Sequence, residues 1–275
     1  MSQNLSSGLC TAGGLAVIRR TRPEVDPLQP SVLFVHGAMD RGASFSRVMR
    51  RLPEFDLIAL DRRGYASSLG AGVCPTLEGH VDDIVEVLDF CGTSSVVVIG
   101  HSLGGTFALG LASRHDPRVR GIGVFESPVP SLDGSYAAVG GGAIELGEKE
   151  GAEAAAEYFY RLMVGEGTWN RLRERDQLAR RAEGAALMAE LRSLRTPGAT
   201  VDPSQVALPV MMGMGTQTST TMRAGSELLQ AALPESELFQ IAGAGHGAHL
   251  SHADEFARYT RSCVKFALPQ SAVDR

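Results

Sequence analysis

The sequence has no long hydrophobic run and no excess of positive charge. Its longest apolar stretches, such as Ser31–Val35 and Val96–Ile99, are far shorter than the ~20 residues that a membrane helix needs. The 26 Lys and Arg residues face 31 Asp and Glu residues, for a net charge of −5, and no basic patch is present that would bind a nucleic acid. Met1–Cys10 lacks the basic start and apolar stretch of a signal peptide. We therefore expect a cytoplasmic protein that binds neither membranes nor nucleic acids.

Cysteine is also scarce. The four cysteines, Cys10, Cys74, Cys91 and Cys263, are scattered, with no Cys-x-x-Cys pair and no His/Cys spacing typical of a metal site. This pattern predicts reduced thiols and neither a metal ion nor an organic cofactor. By contrast, 44% of the 275 residues are hydrophobic, which excludes a disordered chain and suffices for one large core or two modest domains.

Short apolar runs rich in β-branched residues alternate with longer amphipathic stretches, as is typical of βα units around a buried parallel sheet. The predicted strands are Leu15–Arg20, Val32–His36, Leu57–Asp61, Val96–Gly100, Gly121–Glu126, Val210–Gly215 and Leu238–Ala242. The predicted helices between and after them are Thr76–Cys91, Leu103–His115 and Ala253–Leu268. The sequence thus predicts an α/β protein.

The alternation stops between Pro128 and about Pro209, where no strand-like run occurs. This stretch is rich in Ala, Glu and Arg, which favour helices. We predict helices over about Ala143–Gly165, Thr168–Gly184 and Ala185–Arg195. Residues 129–205 are therefore expected to form a helical cap, inserted between two late strands of a core made of residues 1–128 and 206–275.

The segment Gly100-His101-Ser102-Leu103-Gly104 lies between a predicted buried strand and a predicted helix. It matches the Gly-x-Ser-x-Gly nucleophile elbow, in which the glycines remove side chains that would collide in the sharp turn. The turn exposes the hydroxyl of Ser102, and the start of the helix offers free N–H groups where an oxyanion would form. We predict that Ser102 is a nucleophile.

A serine hydroxyl is a weak nucleophile and needs an imidazole within hydrogen-bonding distance. The segment Gly243-Ala-Gly-His246 follows the last predicted strand, and its small residues allow a loop to bring the imidazole of His246 near Ser102. We predict His246 as the base. His249 and His252 lie nearer the following helix, where a capping or surface role is favoured.

The oxyanion of an acyl-transfer intermediate is bound by two N–H donors. One is predicted to be the N–H of Leu103. The second should come from the loop after the strand Val32–His36, and we assign it to Ala38. A similar strand end, Asp61-Arg62-Arg63-Gly64, is interpreted as a structural loop with local ion pairs.

On these residues, the sequence resembles the α/β-hydrolase superfamily. The matching motifs are His36-Gly37, Asp61-Arg62-Arg63-Gly64, Gly100-His-Ser102-Leu-Gly-Gly105 and Gly243-Ala-Gly-His246. The resemblance implies a mostly parallel eight-stranded sheet flanked by helices, with the active site beneath the cap. It also implies an aspartate in the turn after the strand Val210–Gly215, but this sequence has Gln217 there.

Glutamine has no charge to stabilise an imidazolium, so the acid is expected elsewhere. Glu126 ends the strand that follows the nucleophile helix, at the carboxyl edge of the sheet, where charged groups are often functional. Some members of the superfamily, zearalenone lactonases among them, have a glutamate as triad acid at this point. We predict that Glu126 orients His246; the alternative is a carboxylate at the hinge of the cap, held by an arginine.

Together these features predict a serine hydrolase that cleaves a carboxylic ester or lactone through an acyl-enzyme on Ser102. The cap is expected to form an apolar pocket, with Trp169, Tyr160 and Met39 binding a small-molecule substrate such as a zearalenone-like macrolactone. A serine nucleophile argues against dehalogenase and epoxide hydrolase chemistry, for which the superfamily uses aspartate. A thioester or carbon–carbon bond hydrolase, a cyclase or isomerase, and a non-catalytic ligand receptor on the same fold remain alternatives.

Overall fold

A computed structural model describes residues 6–22, 29–132, 140–196 and 201–268, with the backbone alone at residues 6–8. The strands are β1 (Ser6–Cys10), β2 (Ala16–Arg20), β3 (Ser31–Val35), β4 (Leu57–Leu60), β5 (Val96–His101), β6 (Val119–Phe125), β7 (Val210–Gly215) and β8 (Glu237–Ile241). They form an eight-stranded sheet in the order β1-β2-β4-β3-β5-β6-β7-β8. β2 is antiparallel to β1 and β4, and the remaining pairs are parallel. The predicted mostly parallel eight-stranded sheet is confirmed.

Helices cover the sheet and fill the connection between β6 and β7. They are α1 (Ser46–Met49), α2 (Leu77–Phe90), α3 (Leu103–Ala112), α4 (Gly141–Glu150), α5 (Ala152–Val164), α6 (Glu166–Arg171), α7 (Glu174–Ala182), α8 (Gly184–Ser193), α9 (Thr220–Ala232), α10 (Ala248–Ser251) and α11 (Ala253–Ala267). Short 3-10 turns span Gly42–Phe45, Ala66–Ala71 and Pro203–Gln205.

The core has two layers because successive residues of a strand point to opposite faces of the sheet. Leu33 and Val35 pack in the layer that contains α2, α3 and α9. Val32 and Phe34 pack in the layer that contains α1 and α11. Both faces are therefore covered, as the nearly continuous apolar character of the central strands predicts.

Four of the described strands and α-helices were not predicted from the sequence: β1, α9 and the single-turn helices α1 and α10. β1 begins with Ser-Ser-Gly, which has no apolar alternation, and is held by antiparallel pairing with β2. α9 begins with two threonines and contains Gly225, which are poor helix formers. The side chain of Ser219 caps α9 by accepting the N–H of Met222 at 3.2 Å.

The described residues of the connection between β6 and β7 contain five α-helices, α4 to α8, which we call the helical insertion. Two of the three helices predicted there were wrong in extent. The first breaks at Gly151, whose φ is 97°, and the second breaks at Leu172 and Arg173, which are extended. Parts of the predicted cap, residues 133–139 and 197–200, lie outside the described residues. The division into a core and a cap at residues 129–205 stays a prediction.

None of the helices in the described part of the chain combines the length and apolar character needed to cross a membrane. All four cysteines are free thiols; Cys10 is exposed, and Cys74, Cys91 and Cys263 are buried.

Candidate active site

Ser102 lies in a sharp turn between β5 and α3. Its φ of 53° is unusual for a residue with a side chain, and such strained backbone is concentrated at functional sites. A Cβ atom on Gly100 would lie 2.3 Å from the Cα atom of Gly105, and one on Gly104 would lie 2.2 Å from a carbonyl oxygen of β3. The elbow glycines are therefore required because backbone segments pack against them.

Glu126 follows β6 directly, with a φ of 47°, and its buried carboxylate faces the turn after β7. Its Oε2 atom lies 2.7 Å from Nδ1 of His246 and accepts the hydroxyl of Thr218 at 2.8 Å. Its Oε1 atom accepts the N–H of Gly215 at 2.9 Å. In the described part of the chain, these partners stand in place of the arginine that the hinge alternative requires.

Gln217 is exposed, and its backbone N–H donates to the carbonyl of Ala244 at 2.8 Å. The turn that contains it gives hydrogen-bond donors to Glu126 instead of supplying a carboxylate of its own. Glu126 and His246 are thus brought together from the end of β6 and from the loop after β8, and their roles as acid and base stay predictions.

His101 holds the loop after β8 by a hydrogen bond. Its Nε2–H donates to the backbone carbonyl of His246 at 2.8 Å, and the two rings lie 4.6 Å apart. Burial, followed by electrostatic interaction with the imidazoles of His249 and His246, holds the pKa of His101 well below its usual range. His101 is therefore a neutral hydrogen-bond donor that fixes the position of the His246 backbone.

A second polar pair, mostly buried, lies beside His101. Nε2 of His249 is 3.1 Å from Oδ2 of Asp40. The other oxygen of Asp40, Oδ1, accepts the hydroxyl of Ser44. Burial alone would raise the pKa of Asp40, but hydrogen bonding and positive charge from His249 outweigh it, so the pKa is lowered. His249 therefore has a structural partner of its own, which agrees with the preference for His246 as the base.

In the described part of the chain, two clusters each bring three potential metal-ligand atoms within 4.8 Å of one another. The first consists of Asp40, His101 and His249, and the second of Cys74, His80 and Asp83. The members of the first cluster are far apart in the sequence, whereas those of the second lie between positions 74 and 83. In the first cluster, Asp40 and His249 are already paired with each other.

The loop after β3 runs against the nucleophile. A Cβ atom on Gly37 would lie 2.7 Å from the Cβ atom of Ser102. Ala38 and Leu103, the predicted oxyanion donors, border the same cleft as Ser102. Both residues therefore lie beside the serine, and the role of their N–H groups as oxyanion donors stays a prediction.

A cleft with about 410 Å³ of empty space, including its mouth, separates the nucleophile from the helical insertion. Its lining consists of Ala38, Ser102, Leu103, Pro128, Gly140, Phe159, Met163, Leu191, Leu194 and Met222. Apart from the hydroxyl of Ser102, the described residues of this lining have no polar side chain. Met222, which belongs to α9, and Leu191 could not be found from the sequence because only the tertiary fold brings them to the serine.

The three predicted substrate-binding residues lie elsewhere. Trp169 is buried in the insertion with its ring 5.6 Å from that of Tyr160 and with the guanidinium groups of Arg161 and Arg181 over it. Met39 is buried in the apolar cluster shared with the insertion. These three residues are not among those that line the cleft beside Ser102, and their contact with substrate stays a prediction.

Comparisons with known proteins bear on the family and the fold. Residues 32–259 match the model of the alpha/beta hydrolase family. The chain is 28% identical over 251 residues to the pimeloyl-[acyl-carrier protein] methyl ester esterase of Xanthomonas oryzae, a match that covers 82% of this chain and 91% of that protein. A shorter match, 36% identical over 104 residues, covers 38% of this chain and 39% of the lipase LipV of Mycobacterium tuberculosis.

Solved structures share the fold at low sequence identity. A hydrolase from Pseudomonas aeruginosa has a TM-score of 0.71 at 19% identity, covering 96% of this chain and 99% of its own. The enol-lactonase from Burkholderia xenovorans has a TM-score of 0.70 at 17% identity, covering 93% and 98%. The sheet and the elbow together define a hydrolytic enzyme of the α/β type. The chain belongs to the alpha/beta hydrolase family.

Proposed function

We propose that the chain is a serine hydrolase that cleaves carboxylic esters or lactones through an acyl-enzyme on Ser102. The observation on which this proposal rests is the 2.7 Å hydrogen bond between Glu126 and His246, at the sheet edge where the elbow presents Ser102. Relatives named as an esterase and a lipase support the ester class.

The hydrogen bond to Glu126 occupies Nδ1 of His246 and leaves Nε2 for the hydroxyl of Ser102. Ser102 attacks the acyl carbon while His246 takes its proton, and the N–H groups of Ala38 and Leu103 bind the oxyanion. His246 then passes the proton to the leaving alkoxide. A water molecule, deprotonated by His246, releases the acid and restores the serine.

Glu126 has two tasks in this mechanism. Its carboxylate fixes the tautomer and orientation of His246, and its negative charge stabilises the imidazolium that forms during each proton transfer. The N–H of Gly215 and the hydroxyl of Thr218 hold the carboxylate in place. This arrangement favours the hydrolase over the ligand receptor, because the missing aspartate at Gln217 no longer argues for an inactive site.

The lining of the cleft favours a neutral, apolar acyl group, because a charged group there would lose its hydration without gaining a partner. A zearalenone-like macrolactone is a candidate of this kind, suggested by the resemblance at Glu126. A thioester with an apolar acyl group would satisfy the same lining. We expect the ester or lactone to enter between the core and the cap formed by the helical insertion.

The test is labelling with a fluorophosphonate probe, together with hydrolysis of neutral p-nitrophenyl esters. We expect the wild type to be labelled and active and Ser102→Ala to be neither, since only an activated serine reacts with the probe. Labelling of Ser102→Ala would place the nucleophile elsewhere. Incorporation of oxygen from labelled water into the acid product distinguishes hydrolysis from cyclase or isomerase chemistry.

A further inference from the structure

Arg62 follows β4 and holds the loop that contains the predicted oxyanion donor. Its buried guanidinium donates from Nε to the carbonyl of His36 at 2.8 Å and from Nη2 to the carbonyl of Gly37 at 2.9 Å. The ring of His36 completes the arrangement. It accepts the backbone N–H of Arg62 at Nε2, at 2.9 Å, so its proton lies on Nδ1 and is donated to the carbonyl of Gly37 at 2.7 Å.

The two donors to the Gly37 carbonyl also determine the direction of the next N–H group. The peptide between Gly37 and Ala38 is planar and trans, so its C=O and N–H point in opposite directions. Holding the carbonyl on the side of Arg62 therefore holds the Ala38 N–H on the opposite side. Arg62 thereby controls the orientation of this donor without contacting the substrate.

Arg62 is in turn held by the helical insertion. Glu190, on α8, receives Nη1 of Arg62 at Oε1 and the hydroxyl of Tyr65 at Oε2, the latter at 2.7 Å. Both members of the Arg62–Glu190 pair are 1% exposed. The guanidinium also lies 4.9 Å from the ring centres of Tyr65 and Phe107. These contacts leave the guanidinium little freedom once Glu190 is in place.

A second arginine of the insertion reaches the same loop. Arg180, on α7, donates to the carbonyl of Met39 at 2.7 Å and pairs with Glu183 at 3.4 Å. Glu183 also accepts the N–H of Ala66 at 3.0 Å and a side-chain N–H of Arg41 at 3.1 Å. The carbonyls on both sides of Ala38 are therefore held by cations whose counter-charges belong to the insertion.

We infer that Glu190 is a positioning residue for the oxyanion hole. Through Arg62 it fixes the Gly37 carbonyl, and so the Ala38 N–H, only when α8 is docked on the core. This inference rests on the proposed function, in which Ala38 binds the oxyanion. It means that the insertion contributes to the rate of acyl transfer as well as to the shape of the cleft.

The test compares Glu190→Gln and the double variant Arg62→Met/Glu190→Met with the wild type. We expect kcat on a p-nitrophenyl ester to fall about 10- to 100-fold with KM changed less than about 3-fold, because the lost contact acts on the transition state. The affinity for a boronic acid that forms a tetrahedral adduct with Ser102 should fall by a similar factor. The double variant removes the buried charges together, which keeps it foldable.

The matched control is Arg63→Met/Asp83→Met. Arg63 and Asp83 form the neighbouring pair, mostly buried, with side chains 22% and 6% exposed, and neither touches the loop after β3. We expect this control to keep the wild-type kcat and boronate affinity, with thermal unfolding measured for every variant.

Two results would overturn the inference. One is a folded Arg62→Met/Glu190→Met variant with wild-type kcat and boronate affinity; the other is a control variant with the same loss of kcat. Failure of the proposed function gives a different result: the wild type would then hydrolyse no ester, or Ser102→Ala would keep the wild-type activity, whatever the Glu190 variants do.

Discussion

Glu126 is the residue on which the proposed chemistry of this site most depends. It leaves the sheet at the end of β6, adopts a positive φ and accepts hydrogen bonds from two residues of the turn after β7. Met39 and Ser102 share this unusual backbone conformation. Three of the five non-glycine residues with positive φ in the described part of the chain, Met39, Ser102 and Glu126, thus lie in the loops around the nucleophile and its predicted acid, where pre-organised geometry is worth its cost in stability.

We predict that Glu126→Gln lowers kcat by about 10³- to 10⁴-fold, because a neutral amide neither enforces the tautomer of His246 nor stabilises its charge. Gln217→Ala should change kcat by less than about 2-fold, since its side chain is exposed. Steady-state kinetics on an ester, with circular dichroism to confirm folding, provides the measurement. A larger loss in Gln217→Ala than in Glu126→Gln would contradict the assignment of the acid.

At the scale of elements, the helical insertion depends on the break between α4 and α5. Gly151 ends one helix and begins the next with a φ of 97°, and a Cβ atom there would meet nothing within 4 Å. The residue is thus needed for its backbone conformation alone, with no contribution from crowding.

We predict that Gly151→Ala lowers the free energy of unfolding by about 1–3 kcal/mol, the cost of placing alanine at a φ of 97° and a ψ of 163°, a conformational region that essentially only glycine adopts. The control is Gly167→Ala in α6, whose φ lies outside that region and which should gain up to about 1 kcal/mol from helix propensity. Urea unfolding measures both variants. Equal effects of the two substitutions would show that backbone conformation at Gly151 is not the reason for the break.

Elements with a strong local pattern could be predicted from the sequence. β5, the elbow and α3 follow from one apolar run and the glycines around Ser102. The helix predicted from Thr76 is α2, and Thr76 caps it by accepting the N–H of Gly79 at 3.1 Å. The pairing of Glu126 with His246 could be predicted because the sequence has the neutral Gln217 where the resemblance implies an aspartate. The Arg62–Glu190 pair could not be predicted from the sequence, because the two residues are far apart along the chain and meet only in the tertiary fold.

At the scale of the whole molecule, two histidines make stability depend on pH. Burial, followed by the positive charge of Arg62, lowers the pKa of His36 to about 3 and that of His80 to about 2. An exposed histidine titrates near 6.5. In the unfolded chain, both rings therefore take up protons that the folded chain excludes, so stability is complete above about pH 6.5 and falls as the pH drops toward 3.

We predict that each of these histidines lowers the free energy of unfolding by about 2 kcal/mol when the pH is lowered from 7.5 to 5. In His80→Leu, the loss over this range should be smaller than in the wild type by that amount, because leucine takes up no proton. Urea unfolding at the two pH values measures the difference. A wild-type pH dependence in His80→Leu would show that His80 is protonated in the folded chain.

The origin of Glu126 at the end of β6 has a consequence for how related sequences are sorted. A search pattern that demands an aspartate after β7 would reject this chain as a degenerate enzyme, although its histidine has a buried carboxylate partner at 2.7 Å. A pattern that accepts a glutamate directly before the insertion would retain it. Genome surveys that count inactive members of the family by the first rule would therefore overestimate their number.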